Sequence, residues 1–302
     1  MFHHFHGAGH PVVQGSVGGV EFRAMLEYLY SNYNVINADV FRKKYLAGDV
    51  DKRDICLTFD DGLACQYDVA LPILNELGVK AFFFVYTSIL EGGLEMLEIH
   101  RYFRTVCFES TDDFYSKFFD EFRAAFPKEA SAAQDKFRKG DFFNEFSFYS
   151  DNDRYYRYVR NYVLGPESFN DIYLAMMDEL NFDCGAIAKK LWMSRAQLKE
   201  LTDDGHYLGL HSHSHPTDMR LLGRDEQRLQ YSTNKDLIEK ICGFPVKVMS
   251  HPCGSYNDET LEVLRELGIE IGFRSNEAMV STRSTLELPR IDHMTVYREL
   301  FG

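Results

Sequence analysis

An α/β fold built on a parallel barrel is what this sequence predicts, on three observations. Short apolar runs of strand length alternate with segments whose apolar side chains recur at helical spacing. Two clusters rich in carboxylate or imidazole groups each close one of those runs. Thr58-Phe59-Asp60-Asp61-Gly62 follows Ile55-Cys56-Leu57, and His211-Ser212-His213-Ser214-His215 follows Tyr207-Leu208-Gly209-Leu210. Parallel α/β folds place their chemistry at that strand-end rim, so both clusters would face one pocket. The length of 302 residues suits one barrel core with an insertion.

Taken in order, residues 18–31 space their apolar side chains for a helix, and 66–77 do likewise before Gly78 ends the second helix. Ala81-Phe82-Phe83-Phe84-Val85 is a continuous run of β-formers, a strand covered on both faces, so 55–85 form one βαβ unit. Ser194 and Gln197 have the spacing of a capping box at the head of a helix reaching Leu201, and Gly205 leads into the strand before His211. A helix is expected over 224–241, a strand at Val246-Lys247-Val248-Met249, a helix over 258–267 and a strand at Glu270-Ile271-Gly272-Phe273. Leu288-Pro289-Arg290-Ile291-Asp292-His293 lies in the final strand. With right-handed crossovers, this βα alternation gives a parallel barrel.

The stretch 93–191 breaks the pattern. It is dense in Phe, Tyr and charged residues, with helical periods at 112–125 and 168–180 and few candidate strands. It is expected as a helical, aromatic-rich insertion within a single catalytic domain spanning 1–302. Because it leaves the barrel after one strand and returns before another, it either caps the pocket mouth or serves as a packing or dimerisation subdomain. Phe142-Phe143 and Tyr155-Tyr156 offer rings that could stack on sugars, although core packing explains such rings equally well.

Composition excludes several partners. The formal net charge of −13 argues against a nucleic-acid backbone or an anionic membrane. The six cysteines form no Cys-x-x-Cys pair and are expected as reduced thiols. No run nears the roughly 18 apolar residues of a membrane helix. No basic start followed by an apolar segment marks a leader. With Met1 taken as the native start, a cytoplasmic location is expected.

Two imidazoles and a carboxylate suit a divalent metal such as zinc, and three protein ligands leave a position open for water. Only one aspartate need bind the metal. A turn at Gly62 would let the other reach the same cavity as a general base. Singly, each cluster has a plainer explanation, since Asp-Asp-Gly is a common turn and His-rich loops occur on surfaces. Together, Thr-Phe-Asp-Asp-Gly after one strand and His-Ser-x-x-His-Pro after a later one resemble the first two motifs of the polysaccharide deacetylase family. This is the NodB-homology group, carbohydrate esterase family 4.

The resemblance covers about residues 1–92 and 192–302 and implies a distorted (β/α)7 barrel. In that family the first aspartate of the pair is the base, and the second binds metal with the two histidines of the second motif. Carried over, Asp60 is the base and Asp61, His211 and His215 are the ligands. His213 falls at a variable position and is expected as a surface or supporting residue, with Ser212 orienting the loop by hydrogen bonding.

Ser250-His251-Pro252-Cys253-Gly254-Ser255-Tyr256 occupies the place of the family's third motif, Arg-Pro-Pro-Tyr-Gly, but only Pro252 and Gly254 match it. The family's arginine steadies the base, and here Ser250 stands in its place. The backbone N–H at the tyrosine position helps hold the oxyanion, a role that tolerates substitution and falls to Cys253. Arg290 resembles the arginine of members whose third motif lacks one and is expected to pair with Asp60; otherwise it is a surface arginine near a strand end. No Asp-x-x-Asp-Trp fourth motif appears, and the single tryptophan, Trp192, lies elsewhere.

For the general acid, Met1-Phe2-His3-His4-Phe5 looks like the arrangement of a rearranged subgroup resembling poly-N-acetylglucosamine deacetylases. That favours His3, with His4 and His293 as alternates, and imidazole suits the task because it titrates near neutrality. His10, His100 and His206 have no motif behind them and are expected to be structural.

The implied activity is hydrolysis aided by one divalent metal, zinc with cobalt or nickel as alternatives. It would remove an N-acetyl group from an amino sugar or sugar precursor, nucleotide- or lipid-linked, in surface-polysaccharide metabolism. Deformylation of a lipid-linked amino sugar and opening of a cyclic amide are alternatives within hydrolases. A catalytically silent carbohydrate-binding protein is the alternative of another class, and retention of Asp60 beside all three ligands speaks against it.

Overall fold

Residues 1–142, 150–275 and 283–302 are described by the computed structural model. The chain divides into two units, Met1–Glu95 with Ala188–Gly302, and Met96–Ile187. The path begins with β1 (Phe5–His6), β2 (Val17–Gly18), α1 (Gly19–Asn32), β3 (Asn34–Val35), α2 (Ala38–Ala47), β4 (Asp54–Ile55), β5 (Thr58–Phe59), α3 (Leu71–Glu76) and β6 (Phe82–Val85). It continues through α4 (Met96–Val106), α5 (Thr111–Ala125), α6 (Pro127–Lys139), α7 (Asp151–Tyr158), α8 (Pro166–Glu179) and α9 (Cys184–Leu191). The remaining elements are α10 (Arg195–Asp203), β7 (Tyr207–Leu210), α11 (Arg224–Cys242), β8 (Val248–Ser250), α12 (Asp258–Glu266), β9 (Ile271–Phe273) and α13 (His293–Phe301). No helix among the described residues is long and apolar enough to cross a membrane.

β5, β6, β7, β8 and β9 lie side by side in that order, each neighbour parallel. One further position is added at each end, where Phe2 bridges Phe59 and Leu288 bridges Phe273, both parallel. The Met1 nitrogen donates to the Ile291 carbonyl at 2.9 Å, and the His293 N–H donates to the Met1 carbonyl at 3.1 Å. The last position therefore reaches the first, and the sheet curls as the expected distorted barrel.

Side-chain alternation explains the apolar run on β6. Phe82 and Phe84 enter one core cluster with Phe41, Val248, Ile271, Phe273 and Leu288. Phe83 points the other way and stacks on Phe59 at 4.7 Å. Gly209 pairs with Phe84, and a Cβ there would lie 2.5 Å from the ring, so only glycine lets the two strands close around it.

Three local expectations needed correction. The run 55–57 is not one barrel strand. Asp54–Ile55 pairs with β3 in a separate two-stranded sheet, and the barrel strand is Thr58–Phe59 itself. The ladder changes partner between them, because the Ile55 carbonyl accepts from Ile36 while the Leu57 carbonyl accepts from Phe82. The helix expected over 66–77 starts as a π-turn at Gln66–Ala70 and becomes α only at α3. That widened turn carries Gln66, whose Nε2 donates to the Asp60 and His3 carbonyls at 2.5 and 2.9 Å. The final strand is shorter than 288–293: Leu288 pairs, Pro289 has no N–H to donate, and Asp292 caps α13. The Ser194–Gln197 capping box forms as read.

The unit Met96–Ile187 is helical. The expected segments 112–125 and 168–180 form α5 and α8, the first capped by Ser110 and the second opened by Pro166. Their inner faces bury Phe114, Phe118, Phe169 and Tyr173. Tyr156 is buried here too, its hydroxyl 2.5 Å from that of Tyr173, so it is a core residue and not a platform for sugar. Tyr155 lies 4.9 Å from Phe119, and Phe142 lies 4.3 Å from Tyr158. Phe143 lies outside the described residues.

Candidate active site

The strand ends bring the two sequence clusters together. Asp60 and Asp61 leave β5, His211 leaves β7, and His215 follows on the same loop. Ligand atoms of Asp61, His211 and His215 lie within 4.8 Å of one another. Asp61 Oδ1 is 3.3 Å from His211 Nε2 and 3.5 Å from His215 Nε2.

The chemistry of this donor set fits a cation. His211 Nδ1 lies 2.8 Å from the Ser250 carbonyl, which can only accept, so Nδ1 carries a proton. In the neutral ring Nε2 is then a bare lone pair facing Asp61 Oδ1, a buried atom with no well-aligned donor among the described residues. Facing lone pairs repel unless positive charge sits among them. The same arrangement raises the His211 pKa, because burial opposes its charge but the contact with Asp61 and the charges of Asp60 and Asp61 outweigh it. Burial lowers His215 to about 4, against the pull of Asp61, so its ring is neutral at physiological pH as a ligand must be. Burial works to raise the Asp61 pKa, yet His211 and His215 hold it below the usual carboxylate range.

Backbone strain gathers at the same place. Among the described residues six non-glycine residues have left-handed φ, and four of them are Asp61 (77°), Ser212 (63°), His215 (54°) and Cys253 (52°). Such conformations persist where surrounding contacts hold them. Gly62 continues the turn at φ 64°, as its place after the paired carboxylates suggested. Ser212 Oγ accepts from the His215 N–H at 3.1 Å, the loop-orienting bond expected of it. His213 is a supporting residue: its Nδ1 meets Thr87 Oγ1 at 3.1 Å and its carbonyl accepts from Thr87 and Ser88.

Asp60 is only 2 % exposed and lies in a fork. Arg290 Nη1 donates to Oδ1 at 2.7 Å and Nη2 to Oδ2 at 2.6 Å. The remaining guanidinium donors reach Thr58 Oγ1 (3.3 Å), Ser250 Oγ (2.7 Å) and the Arg274 carbonyl (2.6 Å). All five N–H groups are thus satisfied, a fit a lysine could not reproduce. Burial pushes the Asp60 carboxyl up, but Arg290, then His211 and His3, outweigh it and hold the pKa well below its usual range. His3 Nε2 stands 3.9 Å from Asp60 Oδ2.

A polysaccharide deacetylase model matches residues 47–102 and 165–272, more than half of the chain. The chain belongs to the polysaccharide deacetylase family. The match includes Asp60, Asp61, His211, His215 and Cys253, and leaves His3, Arg290 and His293 outside. No curated protein sequence matches the chain. Among solved structures, the Streptococcus pyogenes deacetylase PplD in complex with acetate is similar, with 17% identity and TM-score 0.56 over 96% of this chain and 88% of that one. IcaB from Ammonifex degensii is similar at 16% identity and TM-score 0.56, covering 99% and 92%. The BpsB deacetylase domain from Bordetella bronchiseptica follows at 16% identity and TM-score 0.53, covering 95% and 92%. At such identities the likeness shows a shared deacetylase fold.

Against that fold, two sequence expectations change. His293 is not brought to the cluster. It opens α13, its Nε2 bonds the Gly15 carbonyl at 2.9 Å and its ring stacks on Phe2, so it serves the barrel closure. Trp192, distant from the motifs in sequence, returns to the site. It bridges Leu63 and donates Nε1–H to the Tyr86 hydroxyl, and the Tyr86 ring lies 5.0 Å from that of His215. His4 lies beside His3 with rings 6.3 Å apart. Cys253 follows β8 in a tight turn whose next two N–H groups bond back to the His251 and Pro252 carbonyls. Cys253 is itself exposed, and its thiol pKa is raised, by desolvation first and then by the charge of Asp61.

Two side chains on α11 that no sequence motif marks support the ligand loop. Asn234 accepts from the His211 N–H at 2.9 Å and donates to the Val85 carbonyl at 2.9 Å. Gln230, one turn earlier on the same face, accepts from the His213 and Ser214 N–H groups. Their signal was available: polar residues at helical spacing where a core-facing stripe was due, and Asn234 is fully buried.

Proposed function

We propose that this family member is a metal-dependent amidohydrolase that removes the N-acetyl group from an amino sugar or sugar precursor in surface-polysaccharide metabolism, within one catalytic domain. The observation that carries the reading is an ionised carboxylate, Asp60, clamped by Arg290 beside the convergent Asp61, His211 and His215. Asp61, His211 and His215 would hold one divalent cation, zinc first, with cobalt or nickel as alternatives. When bound, such an ion supplies Lewis acidity and lowers the pKa of water.

The residues of the chain do the rest. Asp60 accepts a proton from the attacking water, and Arg290 keeps its carboxylate ionised and oriented until then. The Cys253 N–H is the backbone donor assigned to the developing oxyanion, a kind of contact worth about 3 kcal/mol when one donor is removed. His3, next to Asp60, hands a proton to the departing amine. The acetate in the Streptococcus pyogenes deacetylase supports acetyl as the acyl group.

The test is Asp60→Asn with metal content and acetate release measured together. The variant is expected to keep about one metal ion while turnover on N-acetyl sugars falls by roughly 10³. Turnover close to wild type would reject the proposal. Screening acetylated, formylated and cyclic amides on the loaded wild type identifies the acyl group and the sugar.

A further inference from the structure

Ser250 stands where the third motif would carry an arginine, yet it is fully buried and not a spacer. Its hydroxyl accepts from Arg290 Nη2 at 2.7 Å and donates to Asp60 Oδ2 at 3.2 Å. Its carbonyl accepts from His211 Nδ1 at 2.8 Å. One residue at the end of β8 thus touches the base, the arginine that orients the base, and a metal-ligand candidate.

An ionised carboxylate offers about four lone-pair sites. On Asp60, Arg290 Nη1 takes one on Oδ1, Arg290 Nη2 takes one on Oδ2, and the Ser250 hydroxyl takes the second on Oδ2. Among the described residues, the site left open is on Oδ1. His3 Nε2, at 3.9 Å from Oδ2, is beyond hydrogen-bond distance and stays available for another partner.

We propose that Ser250 is a positioning residue whose hydroxyl closes Oδ2 of Asp60 and locks the Arg290 fork in plane, so that the water proton passes to Oδ1. In that step the water O–H bond breaks and the Oδ1–H bond forms. The electron pair of that O–H bond stays on the water oxygen, which bonds to the acyl carbon. The C=O π bond breaks and leaves its pair on the carbonyl oxygen as the oxyanion. The kinetic half of this inference rests on the amidohydrolase reading; the geometric half does not.

The experiment uses the metal-loaded full chain and the variants Ser250→Ala, Ser250→Thr and Arg290→Gln. Ser250→Ala keeps the carbonyl that holds His211, so its metal Kd and its KM stay within about twofold while kcat falls about tenfold. Ser250→Thr, which keeps a hydroxyl, restores most of that loss. In the Arg290→Gln background, Ser250→Ala costs less than about twofold, because the fork it locks is already gone. Hydrogen exchange of the Arg290 guanidinium, followed by side-chain NMR, speeds up about tenfold in Ser250→Ala whether or not a substrate is known. Unchanged exchange, a loss confined to KM or metal affinity, or full additivity with Arg290→Gln overturns the proposal. If the loaded wild type hydrolyses no amide but exchange still speeds up, the amidohydrolase reading fails and the positioning role stands.

Discussion

In the unit Met1–Glu95 with Ala188–Gly302, the buried polar side chains around Asp60 converge and satisfy one another; in Met96–Ile187 a buried imidazole has no such partners among the described residues. Asp60, Arg290, Ser250 and Thr58 form one closed set of hydrogen bonds. His100 is 4 % exposed, neither of its ring nitrogens is hydrogen-bonded among the described residues, and its ring lies 3.6 Å from that of Tyr173. The first arrangement keeps a charge in the interior by giving it three hydrogen bonds, two of them from a guanidinium. The second tolerates an imidazole only by keeping it neutral, and burial alone lowers its pKa to about 3. Convergent partners mark chemistry, whereas an isolated buried polar group marks packing.

Breaking the convergent set should cost most. Arg290→Gln leaves Asp60 buried with its charge uncompensated, an expected loss of about 3–5 kcal/mol by urea unfolding at neutral pH. Replacing Asp60 and Arg290 together should recover much of it. A stability within about 1 kcal/mol of wild type would mean that the pair is not the closed unit described.

Next comes the support of the ligand loop. Asn234→Ala removes the anchor of the His211 backbone without touching a ligand atom, and metal affinity is expected to fall about 10-fold by calorimetry. Unaltered affinity would show that the loop holds its shape through Ser212 and Gln230 alone.

At neutral pH the smallest effect belongs to the helical unit, because it appears only on acidification. The unfolded chain protonates His100 below its ordinary 6.5, while the native state resists until about 3. Stability contributed by this residue is therefore intact above 6.5 and declines as pH falls through that window, by about 1.4 kcal/mol per pH unit. His100→Phe should flatten the pH dependence of unfolding by that slope between pH 6 and 4. A parallel slope in the variant would place the acid sensitivity elsewhere.

What could be read from the chain follows the range of the interactions. The Ser194 cap, β7, the turn at Gly62 and the helical segments around 112–125 and 168–180 depend on neighbours a few residues away. They form as read. The break between β4 and β5 was hidden, because a run of apolar residues does not say which of two sheets it joins. Asn234 and Gln230 were hidden in a helix whose face toward the site carries amides instead of apolar groups. Trp192 was set aside on sequence distance, which the fold erases.

By itself, then, the sequence determined the alternation of strands and helices, the two strand-end clusters and the family they resemble, because periodicity, turn torsions and ligand types are local properties. Only the tertiary structure decided the partners. Arg290 and Asp60 are 230 residues apart, and whether a distant arginine fills the gap left by Ser250 depends on how the last strand position meets the first. It also separated two histidines the sequence left as alternatives, setting His3 beside the base and binding His293 into the barrel closure. Such pairings follow from strand order and curl, which bring groups from opposite ends of the chain into hydrogen-bond reach. No window of neighbouring residues contains that information.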